Sequence, residues 1–215
     1  MSAPVIKKEV IPAVIAGTQE ELDERVRKVA YVARTVQLDV MDGEFVPNRS
    51  LDFDLTLPKT RLRYEAHLMV GDPDGWVAKN LNKVDVILAH IESTKKPLEL
   101  VRRVREAGKR VGFAVNPETP ISHVTDFLGV IDQVLVMTVH PGAYGAQFLP
   151  EALSKVRELR RLRVGLDIEV DGGITPATIG AAAAAGANLF VSGSYIMRAD
   201  DPKAAFKRLE KLITP

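Results

Sequence analysis

Leu38-Asp39-Val40-Met41-Asp42-Gly43 closes an apolar run that begins near Val36, and it places a carboxylate inside the run rather than after it. A buried strand of that kind hands its acid to a pocket, where a carboxylate can take or return a proton. Turn chemistry accounts for Asp42 and Gly43. It leaves Asp39 unexplained, which makes Asp39 the candidate chemical centre. Other groups able to move protons or bind metals stand at the ends of later apolar runs: His67 with Met69, His90 with Glu92, Met137 with His140, and Asp171. A lone histidine in an apolar strand is an ordinary core residue. Two carboxylates and a histidine brought to one mouth make a functional site.

A second signal concerns anions. Asp171-Gly172-Gly173-Ile174-Thr175-Pro176 follows one apolar run and leads into a helical pattern, and Ser192-Gly193-Ser194 follows the next run. Glycines allow backbone N–H groups to approach a phosphate, and a helix N-terminus adds a favourable dipole. Together the two turns predict a phosphorylated substrate, with Gly172, Gly173, Gly193 and Ser194 as the cradle.

The elements that must position these residues alternate along the chain. Strands are predicted over 10–15, 36–41, 64–70, 84–91, 110–115, 133–139, 166–170 and 189–192. Helices are predicted from a Thr18 capping box to about Ala33, from Asp72-Pro73 to Leu81, and over 96–107 with Gly108 as the stop. Others follow over 120–127, 150–163, 175–185 and 201–212. The stretch 48–62, broken by Pro58, has room for no more than a short helix. Eight strands in strict alternation with helices predict a single (β/α)8 barrel over residues 1–215, with function at the carboxyl ends of the strands. The basic series Lys155, Arg157, Arg160, Arg161 and Arg163 alternates with Val156, Leu159 and Leu162, as a solvated outer helix face does. The alanines over 181–185 read as close helix packing.

Composition bounds the rest. The chain has 215 residues, 46% of them hydrophobic, which is enough for one full core. Twenty-nine basic against 28 acidic residues leave a charge of +1, so neither nucleic acid nor an anionic membrane is indicated as a partner. Cysteine is absent, which removes thiolate chemistry and fits a reducing, cytoplasmic setting. Lysines near the start precede no long apolar core, so no signal peptide is expected. The charge-free span 172–197 is interrupted by Pro176, several glycines and Asn188, which argues against a membrane helix.

These residues resemble the ribulose-phosphate 3-epimerase family. The likeness runs through Leu38 to Gly43 with Phe45-Val46-Pro47-Asn48, Ala66-His67-Leu68-Met69-Val70, His90 with Glu92, Asn116-Pro117, Pro141-Gly142, Glu169 to Ile174, and Val191 to Ser194. It implies a barrel isomerase of carbohydrate metabolism and the pentose phosphate pathway, inverting carbon 3 of ribulose 5-phosphate. It also implies Asp39 and Asp171 as the acid/base pair, Asp39, His67 and Asp171 as three of four metal ligands, and Met41, Met69 and Met137 as the pocket lining. The chemistry agrees, because epimerising a carbon beside a ketone needs a base on one face and an acid on the other. Met41 also stands where barrel decarboxylases of related architecture carry a lysine, which disfavours that reaction.

Four positions depart from the family. Gln37 stands where it has a histidine ligand, Ala13 where it has a serine, and Tyr144 and Ala146 where its loop has glycine and glutamine. Gly142 and Gly145 still offer backbone amides to a phosphate, while Tyr144 is expected to fill space near them. An amide oxygen suits hard cations better than zinc. A divalent ion, whether Zn, Mn, Fe or Mg, is therefore expected to be weakly held or absent, with Gln37 as at most a weak ligand. Two functions stay open: an epimerase with an altered metal site, or a barrel that binds a sugar phosphate without turning it over, as a regulatory protein. A different isomerase on the same scaffold is a third. The sugar phosphate, the metal and any homo-oligomer are left undetermined.

Overall fold

The structure is a computed structural model that describes residues 6–142 and 145–214. Eight parallel strands, β1 (Glu9–Val14), β2 (Thr35–Asp42), β3 (Arg63–Met69), β4 (Val86–His90), β5 (Arg110–Val115), β6 (Gln133–Met137), β7 (Asp167–Asp171) and β8 (Leu189–Ser192), pair in sequence order. Pairing of β1 with both β2 and β8 closes the sheet into a barrel. Helices α1 (Gln19–Val29), α2 (Pro73–Asn80), α3 (Pro97–Glu106), α4 (Ser122–Thr125), α5 (Leu153–Leu162), α6 (Ile179–Ala185), α7 (Ser194–Met197) and α8 (Pro202–Ile213) follow the strands, with none after β2 and two after β8 among the described residues. This is a (β/α)8 barrel, as the alternation predicts.

Period-two alternation divides each strand between two environments. On β2, Val36, Leu38 and Val40 join the main apolar core, which also takes Leu22, Val26 and Val29 of α1. Burying side chains of that kind contributes about 1.5–3 kcal/mol each, so the register of β2 is fixed from its outer side. Gln37, Asp39 and Met41 are thereby turned to the barrel interior. A one-residue slip would move all three out and put Leu38 in.

Local signals hold up, with differences at the ends. Thr18 caps α1 by accepting from Glu21 N–H at 3.3 Å, and Asp72 and Asp201 cap α2 and α8 in the same way. Helix α1 ends at Val29 rather than Ala33. The stretch after β2 holds no helix; Arg49–Ser50 forms a two-residue antiparallel strand against Met41 and Asp42. The basic series is not uniformly solvated. Lys155 Nζ donates to the Asn116, Pro117 and Thr119 carbonyls at 2.6–2.7 Å. Arg160 donates to the Gly186 and Leu166 carbonyls and to Asn188 Oδ1. Both cations are tied into loops, and apolar spacing alone carries no trace of that. No helix among the described residues is long and apolar enough to cross a membrane.

Candidate active site

Three strands bring the candidate chemistry together. Asp39 and Gln37 on β2, His67 on β3 and Asp171 on β7 meet inside the carboxyl end of the barrel, all buried. Register explains the nearest pair, since Asp39 stands opposite His67 on the adjoining strand. The Gln37 amide is the hub: its Nε2 donates to Asp39 Oδ1 at 2.8 Å and Asp171 Oδ2 at 2.7 Å, and lies 3.3 Å from His67 Nδ1. His67 Nδ1 is itself 3.3 Å from Asp39 Oδ1 and 3.2 Å from Asp171 Oδ2.

Electrostatics follow from burial and these contacts. Burial pushes the Asp39 carboxyl above its ordinary value, with negative Asp171 adding to the effect while His67 and Gln37 oppose it. Burial alone would lower His67. The Asp171 and Asp39 carboxylates outweigh it and raise the imidazole to about 9. Behind His67, its Nε2 lies 3.0 Å from His90 Nε2, and His90 Nδ1 lies 3.1 Å from Glu92 Oε2. Burial is the main reason that His90 falls to about 4, against the pull of Glu92. For Glu92 burial works upward, but hydrogen bonds from His90, Thr119 and the Asn116 N–H bring it to about 2. His90 is therefore a neutral imidazole and Glu92 a carboxylate.

Asp39, His67 and Asp171 offer ligand atoms within 4.8 Å of one another, and such a cluster could hold a metal ion. The residues fit one. Gln37 Oε1 is buried with no hydrogen-bond partner among the described residues. A half-turn of the amide would aim that orphaned oxygen at the same carboxylates, an arrangement that only a cation between them makes favourable.

One cavity above this cluster collects nearly every other residue the sequence singles out. Asp39 and Asp171 line it with Met41, Met69 and Met137, and so do Gly142, Gly145, Gly172, Gly173, Gly193 and Ser194. Ala13 and Ala146 also reach it, whereas Tyr144 lies outside the described residues. Gly172 has φ +110 and Gly173 φ +66. At Gly173 a Cβ would stand 2.8 Å from Phe148 Cβ, so the turn after β7 requires glycine. Asn48 Nδ2 donates to the Gly142 carbonyl, tying the loop after β2 to the loop after β6.

Several expectations are corrected. Gly172 and Gly173 do not open a helix, because Thr178 Oγ1 accepts from Thr175 N–H at 2.9 Å and donates to Gly173 O at 2.7 Å, which delays α6 to Ile179. Helix α7, absent from the sequence reading, begins instead directly after Gly193. His140 is exposed and pairs with Glu118 at 2.9 Å, away from the cluster. Asp42 does supply turn chemistry, accepting from the N–H groups of Glu44, Phe45 and Gly71. The bridging role of the Gln37 amide goes beyond the sequence reading. Its only sequence signal is an amide in an otherwise apolar run, two residues before Asp39.

A barrel whose carboxyl end sets two carboxylates and a histidine beneath one glycine-lined cavity has the groups of an acid–base enzyme at the place where barrels carry their active sites. The particular family follows from comparison with known proteins. A family model described as "Ribulose-phosphate 3 epimerase family" matches residues 9–197. The ribulose-phosphate 3-epimerase of Schizosaccharomyces pombe is 34% identical, with 97% of this chain and 95% of that protein covered. That of Mycobacterium bovis is 36% identical, covering 94% and 91%. The chain belongs to the ribulose-phosphate 3-epimerase family. A solved 3-hexulose-6-phosphate synthase superposes with a TM-score of 0.71 at 18% identity, over 96% of this chain and all of that one. Orotidine 5'-monophosphate decarboxylase from Sulfolobus solfataricus superposes with 0.65 at 16%, over 96% and 98%. At that identity the likeness is one of fold.

Proposed function

We propose that this chain interconverts ribulose 5-phosphate and xylulose 5-phosphate by inverting carbon 3 through two-base proton transfer. The observation that carries the reading is that Asp39 and Asp171, from strands three steps apart around the ring, line one cavity and share one amide. One carboxylate removes the proton from carbon 3 as the C2 carbonyl becomes an enediolate. The other returns a proton to the opposite face as the carbonyl re-forms. Whichever carboxyl enters protonated serves as the acid and the other as the base, and for the reverse reaction the roles exchange.

His67, held between the two carboxylates, fixes their separation, and the Gln37 amide keeps both oxygens turned to one point. Asp39, His67 and Asp171, with Gln37 Oε1 turned inward, would hold a divalent ion, and such an ion supplies positive charge against the charge developing on the substrate oxygens. With an amide oxygen replacing an imidazole, that ion is weakly held and is Mn or Mg in preference to Zn or Fe. Gly142, Gly145, Gly172, Gly173, Gly193 and Ser194 receive the phosphate through backbone amides. Met41, Met69 and Met137 give the sugar an adaptable, water-excluding wall. The whole acts as one barrel domain in the cytoplasm, alone or as a homo-oligomer.

Solvent deuterium entering carbon 3 of ribulose 5-phosphate, with Mn²⁺ or Mg²⁺ supplied, is the expected result. Tight binding of ribulose 5-phosphate with no deuterium incorporated under any of these ions would refute catalysis and leave a sugar-phosphate-binding barrel.

A further inference from the structure

Behind the cluster, a chain of hydrogen bonds runs through His90 to Glu92, which touches neither the cavity nor the ligand set. His67 and His90 meet edge to edge, their planes within 25° and their centroids 5.1 Å apart. That separation equals the 3.0 Å between the two Nε2 atoms plus about one ring radius at each end, so the contact is an in-line hydrogen bond and not a face-to-face stack. One nitrogen must donate and the other accept. Glu92 decides which. Its Oε2 faces His90 Nδ1 at 3.1 Å, and a carboxylate only accepts, so His90 carries its proton on Nδ1. His90 Nε2 is then the acceptor and His67 Nε2 the donor, so the proton that a cation displaces from His67 is the one on Nδ1, whose lone pair then faces the point between Asp39 and Asp171.

Glu92 is in turn held from outside. Its Oε1 accepts the Asn116 N–H at 2.8 Å, and Lys155 Nζ clamps that loop through the Asn116, Pro117 and Thr119 carbonyls. His90 is fully buried, with the Phe45 ring 4.6 Å away by centroid and its own carbonyl bonded by Thr94 Oγ1 at 2.7 Å. We propose that Glu92 and His90 are positioning residues, a two-step relay that sets the tautomer of His67 and thereby the affinity of the Asp39–His67–Asp171 cluster for a divalent cation. The cation arm rests on the cluster being the metal site proposed above. The tautomer arm stands without it.

Glu92→Gln gives a test that a merely structural role would fail. A carboxylate offers two acceptors, one to Asn116 N–H and one to His90 Nδ1; an amide offers only one. The backbone N–H cannot reverse its polarity but an imidazole can, so the substituted amide gives its oxygen to Asn116 and its NH2 to His90. His90 then moves its proton to Nε2 and meets His67 with a donor. Glu92→Leu removes both acceptors, costs more stability, and leaves the tautomer unbiased. In histidine-¹⁵N-labelled protein, NMR should find the His90 proton on Nδ1 in the unmodified chain and on Nε2 in Glu92→Gln. Mn²⁺ titration by EPR should show affinity about 10–100-fold lower in Glu92→Gln and a smaller loss in Glu92→Leu. Urea denaturation should rank the two variants the other way. A His90 proton that stays on Nδ1 in Glu92→Gln, or a loss of Mn²⁺ affinity in Glu92→Leu at least as large as in Glu92→Gln, would overturn the relay. Should the unmodified chain bind no Mn²⁺, the metal reading fails, and the NMR comparison alone decides the tautomer relay.

Discussion

Gln37→His exposes the balance between internal hydrogen bonding and metal affinity. In the metal-free chain the Gln37 amide supplies two donors, at 2.8 Å to Asp39 and 2.7 Å to Asp171. Hydrogen bonds to charged groups contribute about 1.5–3 kcal/mol each. An imidazole on the same strand can direct one nitrogen at the cluster and so keeps at most one of the two. The metal-free variant should therefore lose about 1.5–3 kcal/mol of stability. With zinc the order should invert, because the imidazole completes a four-ligand set with Asp39, His67 and Asp171. A cation at about 1,000 times its dissociation constant adds about 4.1 kcal/mol, more than the loss. Urea denaturation of both proteins, with chelator and with zinc, reads the two differences. Elemental analysis after dialysis should find less than one zinc per chain in the unmodified protein and more in the variant. Stoichiometric zinc in the unmodified chain, or zinc stabilising both proteins equally, would refute the reasoning.

Asp171→Asn should leave the fold intact and lower epimerisation by at least about 100-fold, the lower range for a positioned acid or base; undiminished turnover would exclude the two-base mechanism. Gly193→Val, which adds a side chain where Gly193 lines the cavity, should weaken sugar-phosphate binding by about tenfold, or about 1.4 kcal/mol. Equal affinity in calorimetry would place the anion elsewhere. For pH, His67 rises from 6.5 to about 9 on folding. Its contribution, about 3 kcal/mol at most, is then fully present below about pH 6.5 and lost as pH climbs through about 9 in the metal-free protein. Over the same window Mn²⁺ affinity should rise as His67 Nδ1 gives up its proton, and a flat Mn²⁺ profile between about pH 6.5 and 8.5 would contradict the raised value.

The barrel was legible because its signals are local and repeated. Apolar runs alternate with caps such as Thr18, Asp72 and Asp201, and each states its own element. Asp39, His67 and Asp171 were legible as ionisable groups on apolar runs that the barrel topology sends to one end. What the sequence hid are contacts between residues remote in the chain. Lys155 looks like any exposed helix lysine until three carbonyls from a loop before it close around its Nζ. Thr175 to Thr178 has good helix spacing, yet a side-chain hydrogen bond at 2.9 Å holds it as a turn. Both cases depend on a partner's position rather than on residue type.

The interior shows why those remote contacts fall where they do. Apolar side chains of β4 and β5 with Leu135 fill one side of the barrel, and Ile11, Ala13, Leu189 and Val191 fill another. Polar groups stand on β2 and β3, with His90 at the end of β4, and, across the ring, on β6 and β7. Apolar walls leave a buried carboxyl little water, so it must find a donor across the barrel axis. Two levels solve this alike. Gln133 Nε2 donates to Glu65 and Glu169 at 2.7 and 2.9 Å, one layer below the point where Gln37 Nε2 donates to Asp39 and Asp171. Below, burial raises both Glu65 and Glu169, and the neighbouring Glu65 raises Glu169 further. Above, His67 adds a positive charge between the carboxylates, and the layer faces the cavity. The same amide-bridged pair is thus enclosed at one level and, under the proposed mechanism, placed for proton transfer at the next; the difference lies in the imidazole and in access to the strand ends.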